Sequence, residues 1–65
     1  MSGGRRPQVG DEVEYAVGRR AIVTDIRNGT PYLRRAGRRE WPAEDPDALR
    51  VRRTRTQRIA DGDLG

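Results

Sequence analysis

The chain has 65 residues, which is too few for two domains, and its 32% apolar against 37% charged residues allow only a thin hydrophobic core. It contains neither cysteine nor histidine, so disulfides, thiolate zinc sites and imidazole bases or ligands are excluded. The formal net charge of +4 and the sequence pI of about 11.0 favour polyanionic partners.

No apolar stretch approaches the roughly 20 residues that a membrane-spanning helix needs. The opening residues, MSGGRRPQ, lack the apolar centre of a signal peptide. We therefore expect a cytoplasmic protein with no membrane partner.

All fourteen basic residues are arginine. Arginine grips phosphate with a planar fork and stacks on bases, so this bias suits contact with nucleic acid. A GC-rich genome, which favours arginine codons over lysine codons, explains the same bias without any binding function. The positive charge favours polyanions under either explanation.

Residues 1–8 combine glycine and proline with no apolar side chain after Met1, and we expect a flexible N-terminal arm. The following VGDEVEYAV alternates, which predicts a first strand with Val13, Tyr15 and Val17 on one face. Gly18 ends this strand.

We place Arg19 and Arg20 in the connection that follows Gly18, before the β-branched run AIVTDI, which predicts a second strand. Asn28-Gly29 is the preferred pair for a tight hairpin turn with positive φ. Pro31 has no backbone N–H to donate to a ladder, so we expect the third strand to begin just after it.

The third strand places Tyr32 and Leu33 on opposite faces, and Gly37 marks the next turn. Trp41 follows as the largest apolar side chain and is expected to close the core. Asp45-Pro46 resembles a helix start and predicts a single turn of 3₁₀ helix.

Alternation resumes in LRVR, which predicts a last strand with Leu49 and Val51 on one face. These elements predict an all-β fold, a small five-stranded SH3-like barrel with one short 3₁₀ turn and flexible termini. The barrel covers residues 9–53, and residues 54–65 are expected to form a flexible C-terminal tail.

The first half of this barrel resembles a KOW-type motif, through a Gly-Asp-x-Val start, a basic connection containing glycine, and an apolar second strand. The matching residues are Gly10, Asp11, Val13, Gly18, Val23 and Ile26, whereas Ala21 stands where that family usually has a second glycine. The stretch PYLRRAGRREWPAEDPDALRV is also similar to small actinomycete proteins. The resemblance implies a barrel that binds RNA, DNA, ribosomal or transcription components, or short peptides, and fold alone does not choose among these.

Arginine doublets indicate where a polyanion would bind. Neighbours in a strand point to opposite faces, whereas neighbours in a turn can face one ligand. We therefore favour Arg19 with Arg20, and Arg38 with Arg39, as one positive rim, while Arg34 and its neighbour Arg35 divide between two faces.

Two aromatic residues lie near this predicted rim. Tyr32 is the candidate for stacking on a base, and Trp41 is expected to belong mainly to the core. A purely structural role for both rings, with the turn arginines merely solvated, remains the alternative.

A second basic stretch, residues 50–58, runs from the last predicted strand into the tail and is typical of a phosphate-tracking arm or of a solubilising tail. Its candidate contacts are Arg50, Arg52, Arg53 and Arg55. No recognition helix or finger is present, so we predict no sequence-specific reading of bases.

The carboxylates fall into two groups, one beginning at Asp11 and one around Asp45-Pro46, where capping and solubility explain them. We predict no enzymatic activity, no catalytic residue, no metal site and no cofactor. The predicted function is phosphate-directed binding of DNA or RNA, as an accessory factor in transcription or translation. The alternative is an interaction module that binds and modulates an acidic partner protein. We expect a monomer or a weak homodimer.

Overall fold

The computed structural model describes residues 6–62. The described elements form five antiparallel strands, one 3₁₀ turn and one short helix. In chain order they are β1 (Glu12–Ala16), β2 (Arg19–Arg27), β3 (Thr30–Arg34), β4 (Trp41–Pro42), the 3₁₀ turn (Pro46–Ala48), β5 (Arg50–Arg53) and α1 (Arg55–Ala60). The strands form one sheet in the order β4-β3-β2-β1-β5. The predicted five-stranded all-β fold is confirmed.

Local turn chemistry sets much of this architecture. Asn28 and Gly29 have φ values of 52° and 78°, as the predicted tight hairpin between β2 and β3 requires. The 3₁₀ turn begins at Pro46 as predicted, although the side chain of Asp45 makes no capping hydrogen bond. The sequence therefore identifies the turn correctly and its capping interaction incorrectly.

The sheet curls around a small core. Its buried apolar residues are Val13, Ala21, Val23, Leu33 and Ala43. Tyr15 on β1 and Trp41 on β4 are three strands apart in the sheet, a span of about 14 Å if the sheet were flat. Their ring centroids are nevertheless only 5.4 Å apart, and Val51 of the opposite edge strand packs on the same core. The inner face is therefore concave.

The connection between β1 and β2 is shorter than predicted. Only Val17 and Gly18 form the turn, and both Arg19 and Arg20 are strand residues. Val17 was predicted to share the buried face of Val13 and Tyr15, but its side chain is 98% exposed at the hairpin tip. β1 ends at Ala16, one residue earlier than the alternation indicates, and the positive φ of Gly18, 73°, closes the turn.

Pro31 lies inside β3, which begins at Thr30, and not before the strand as predicted. Arg27 and Thr30 close the two-residue turn, so Ile26 and Pro31 form the next antiparallel pair. No hydrogen bond joins the strands at such a pair, and the missing N–H costs nothing there. The Pro31 carbonyl instead accepts a bond of 2.9 Å from the Ala43 N–H.

The predicted flexible tail is wrong for residues 55–60, which form α1. Thr54 accepts from the Gln57 N–H through its hydroxyl, and Gln57 accepts from the Thr54 N–H in return, a complete capping box. Arg58 is buried and donates from Nη1 to the Gly10 carbonyl at 2.7 Å. Within residues 6–62, no helix is long and apolar enough to cross a membrane.

Asp11 joins the N-terminal segment to β2 and α1. Its side chain is 2% exposed and accepts from the Gln8 N–H at 3.0 Å and from the Arg55 N–H at 3.2 Å. Its own backbone carbonyl accepts from the Val23 N–H at 2.9 Å. Asp11, whose carboxylate was explained by capping and solubility alone, therefore links the N-terminal segment and α1 through its side chain and β2 through its backbone.

We expect Asp11→Ala to lower the free energy of unfolding by about 2 kcal/mol, because it removes the acceptor of two part-buried backbone N–H groups, those of Gln8 and Arg55. Chemical denaturation followed by circular dichroism measures the loss. Asp47→Ala is the matched control, since Asp47 is an exposed acid of the 3₁₀ turn. Equal effects of the two substitutions would show that Asp11 contributes charge alone.

Gly10 offers a second test of the same junction. Its φ is 96°, and a Cβ placed there would lie 2.7 Å from Cδ of Arg55. At Gly18, φ is 73° and nothing lies within 4 Å of such a Cβ. Both alanine substitutions incur the left-handed backbone cost, and we expect Gly10→Ala to cost about 1 kcal/mol more because Arg55 must move. Thermal and chemical denaturation compare the two, and identical losses would contradict the close packing at Gly10.

Candidate functional site

Strand direction brings one group of side chains to the same end of the sheet. Because β1, β2 and β3 are antiparallel neighbours, the end of β1, the start of β2 and the end of β3 coincide. The turn at residues 35–38 continues from that end and leads to Trp41 on β4. Residues from four parts of the sequence therefore meet there.

Tyr15, Trp41, Arg19, Arg35 and Arg38 form what we call the arginine–aromatic cluster. The two rings are in an edge-to-face arrangement, with 74° between their planes. The Arg38 guanidinium carbon lies 4.3 Å from the centroid of the Trp41 ring. Arg35 donates from Nη1 to the Tyr15 hydroxyl at 2.9 Å.

The electrostatic environment of the cluster is positive. The hydrogen bond from Arg35 is the main cause that lowers the pKa of Tyr15 below its ordinary value of 10.0, and the charges of Arg35, Arg38 and Arg19 lower it further. Partial burial opposes the shift, but it is the smaller effect. A negative charge is therefore favoured beside the Tyr15 hydroxyl.

The turn after β3 shapes the surface beside the cluster. Gly37 has a φ of 83°, and the Arg38 N–H donates to the Arg35 carbonyl at 3.1 Å, which closes the turn. An open groove of about 260 Å³ runs alongside. It is lined by Ile22, Thr24, Arg34, Arg35, Ala36, Gly37 and Arg38. Its lining therefore combines small and apolar residues with three arginines.

Other arginines are neutralised on the outer face, in what we call the ion-pair ladder. It consists of Glu12, Glu14, Arg20, Arg52 and Arg53. Arg53 lies 2.7 Å from Glu12, Arg52 lies 3.3 Å from Glu14, and Arg20 lies 3.7 Å from Glu12. The β1 glutamates thus occupy the space between the arginines of β2 and those of β5.

The predicted rim is therefore divided. Arg19 belongs to the arginine–aromatic cluster, whereas Arg20, its neighbour in the strand, points to the ion-pair ladder. Arg38 and Arg39 lie outside the strands, as predicted, and are exposed. Within the described residues, several exposed arginines have no carboxylate within 4.0 Å. They are Arg6, Arg19, Arg34, Arg38, Arg39, Arg50 and Arg55. All of these except Arg6 and Arg55 lie at or next to the end of the sheet that carries the cluster.

Tyr32, the predicted stacking residue, has its ring covered by another arginine. The guanidinium carbon of Arg27 lies 4.5 Å from the ring centroid. Arg27 is held there by Asp25 at 2.8 Å and by Glu40 at 3.4 Å. The same hydrogen bond from Arg27 is the main cause that lowers the pKa of Asp25. The aromatic residues beside unpaired arginines are instead Tyr15 and Trp41.

The predicted basic arm is part of the folded unit. Arg50, Arg52 and Arg53 lie in β5, and Arg53 also bonds Asp61 at 3.0 Å. The stem of Arg55 packs on Gly10, as the close approach of its Cδ shows. Of the arginines predicted there, Arg50 is the exposed one that reaches the same end of the sheet as the cluster, since it pairs with Glu14 near the end of β1.

Sequence reasoning did not select Tyr15 and Arg35 as site residues. Tyr15 was assigned to the buried face, and Arg35 to a divided doublet. The available signal was their position: Tyr15 lies near the end of β1 and Arg35 follows β3. Both strands pair antiparallel with β2, so their ends meet at the same end of the sheet.

Comparison of the chain with family models, with curated proteins and with solved structures finds no match. Among residues 6–62, no group of three or more acidic, histidine or cysteine side chains could hold a metal ion. The interpretation of the site therefore depends on its own geometry and charge.

We expect Tyr15 to ionise below pH 10.0, because the Arg35 guanidinium stabilises its phenolate. Ultraviolet titration of a Tyr32→Phe variant reports Tyr15 alone, since the chain has two tyrosines. Adding Arg35→Gln removes the main cause and should raise the pKa. A Tyr15 pKa that does not respond to this change would contradict the assigned hydrogen bond.

Proposed function

We propose that the protein binds nucleic acid through phosphate contacts made by the arginine–aromatic cluster, with Arg34 and Arg39 extending the contact surface. The observation that carries this proposal is the gathering of arginines without carboxylate partners at one end of the sheet. Guanidinium groups bind phosphate oxygens bidentately, and charge-assisted bonds of this kind are among the strongest in proteins.

The distribution of charge supports a polyanionic ligand. Glutamates of β1 neutralise the arginines of the ion-pair ladder, whereas the arginines of the cluster all act on Tyr15 and have no carboxylate within 4.0 Å among the described residues. Like charges held close together repel, and a chain of phosphates relieves several of these repulsions at once. An accessory role in transcription or translation, a KOW-type relationship and a cytoplasmic location are compatible with this function.

An acidic partner protein is the second candidate, and the exposure of Val17 favours it. This side chain is 98% exposed at a hairpin tip, two residues before Arg19. An apolar tip beside arginines suits a protein surface with an acidic rim around an apolar centre. Such a partner would use the cluster charges but would not depend on phosphate.

The test is fluorescence anisotropy of labelled single-stranded DNA, duplex DNA and structured RNA at several salt concentrations. We compare Arg38→Gln/Arg39→Gln with the control Arg52→Gln/Arg55→Gln, which removes the same charge from the ion-pair ladder and the α1 junction. The first pair should weaken binding and flatten the salt dependence by about 0.7 to 0.9 log units per lost contact. The control should retain most of the affinity and slope.

Equal losses in the two double variants would contradict a localised site and leave only attraction by net charge. Absence of binding by the unmodified protein at low salt would overturn the nucleic-acid proposal. In that case, capture of an acidic partner that depends on both Val17 and Arg19 would support the second candidate.

A further inference from the structure

We propose that the face of Trp41 beneath Arg38 is a stacking site for an unpaired nucleobase, so that the ligand is single-stranded nucleic acid. This inference deepens the proposed function and rests on it. The contact between Arg38 and Trp41 would be exchanged on binding: the guanidinium moves to a phosphate and the base takes its place on the indole.

The position of Trp41 makes one of its faces accessible in this way. It lies on β4, a two-residue strand at the edge of the sheet, and its side chain is half-buried. The ring packs edge-to-face with Tyr15 and against the core. The face of the indole that Arg38 occupies is covered by the side chain of Arg38, which is itself an exposed turn residue. Movement of that one side chain uncovers the indole without disturbing the strand.

Two arginine–aromatic stacks in this protein differ in how the arginine is held. Arg27, over Tyr32, is fixed by two carboxylates, those of Asp25 and Glu40. Arg38, over Trp41, has no carboxylate within 4.0 Å among the described residues. Attraction to the ring is therefore the main interaction that holds its guanidinium, and an incoming phosphate competes with it directly.

The exchange is favourable because the Arg38 guanidinium and the Trp41 indole each form a stronger contact than the one they give up. An arginine stacked on an aromatic ring at an exposed site is held weakly, and a charge-assisted bond to phosphate is stronger. A base stacked on an aromatic side chain contributes more than the cation it replaces. Meanwhile Arg35, bonded to the Tyr15 hydroxyl, remains beside the site as a second phosphate contact.

The geometry favours a single strand over a duplex. Bases in a duplex are stacked on their neighbours and paired, so that no face is free to meet the indole unless the base is extruded at a cost. A single strand presents its bases without that cost, and stacking on aromatic residues tolerates any sequence. Arg34 and Arg39 lie on either side of the turn and would follow the adjacent phosphates.

The experiment compares two strands of the same length and charge, an oligothymidylate and an oligomer of abasic sites. Trp41 is the sole tryptophan, so its fluorescence reports the site directly. The oligothymidylate should bind the unmodified protein at least about fivefold more tightly than the abasic strand. It should also quench the tryptophan emission, while the abasic strand quenches it far less.

Substitution separates stacking from charge. Trp41→Leu should reduce the affinity for oligothymidylate to that for the abasic strand, and Tyr32→Leu, the matched control, should leave the difference intact. Circular dichroism establishes that both variants fold. If Trp41→Leu does not fold, the comparison of the two strands with the unmodified protein decides the question.

The outcomes distinguish this inference from the proposed function. Equal affinity and equal quenching by the two strands would overturn the stacking site while retaining the phosphate contacts. Tighter binding of duplex DNA than of either single strand would likewise overturn it alone. Failure of every polyanion to bind at low salt would overturn both proposals.

Discussion

The buried carboxylate of Asp11 is the interaction on which the rest of the structure depends. A chain with so small a core has little stabilisation to spare, and α1 and the N-terminal segment contribute few buried apolar side chains. Asp11 attaches both segments by accepting backbone N–H groups that would otherwise be without partners. Gly10, beside it, lets Arg55 approach closely and offers its carbonyl to Arg58. Hydrogen bonds thus attach the N-terminal segment and α1 to the sheet, a role that apolar packing has in larger domains.

Side chains alternate between the two faces of each strand, and this alternation places charged residues on the outer face and apolar residues on the inner face. Val13 faces the core, so Glu12 and Glu14 must face outward, where arginines from β2 and β5 flank them. The same geometry leaves the arginines at the end of the sheet without acidic neighbours. A chain of moderate net charge therefore presents one strongly positive end, and this asymmetry supports binding there more than the total charge does.

The two arginine–aromatic stacks of the sheet differ in how firmly the arginine is held. Two carboxylates anchor the arginine stacked on Tyr32, whereas the arginine stacked on Trp41 has no carboxylate within 4.0 Å among the described residues. The physical distinction lies in what the guanidinium would lose by moving. For Arg27 the loss includes two ion pairs, and for Arg38 it includes one weak contact with the ring, which a bound phosphate would replace under the proposed function.

The sequence by itself determined the elements that local chemistry controls, because a turn or cap depends on adjacent residues. Asn28-Gly29 and Pro46 predicted their turns correctly, and the capping box of Thr54 and Gln57 was equally readable although the sequence interpretation overlooked it. Only the tertiary structure decided which charges are neutralised and which aromatic ring meets an arginine. Several of those contacts join residues far apart in the chain, such as Arg35 to the Tyr15 hydroxyl, 20 positions apart, and Arg53 to Glu12, 41 positions apart. They depend on strand register and on the curl of the sheet, which no local pattern specifies.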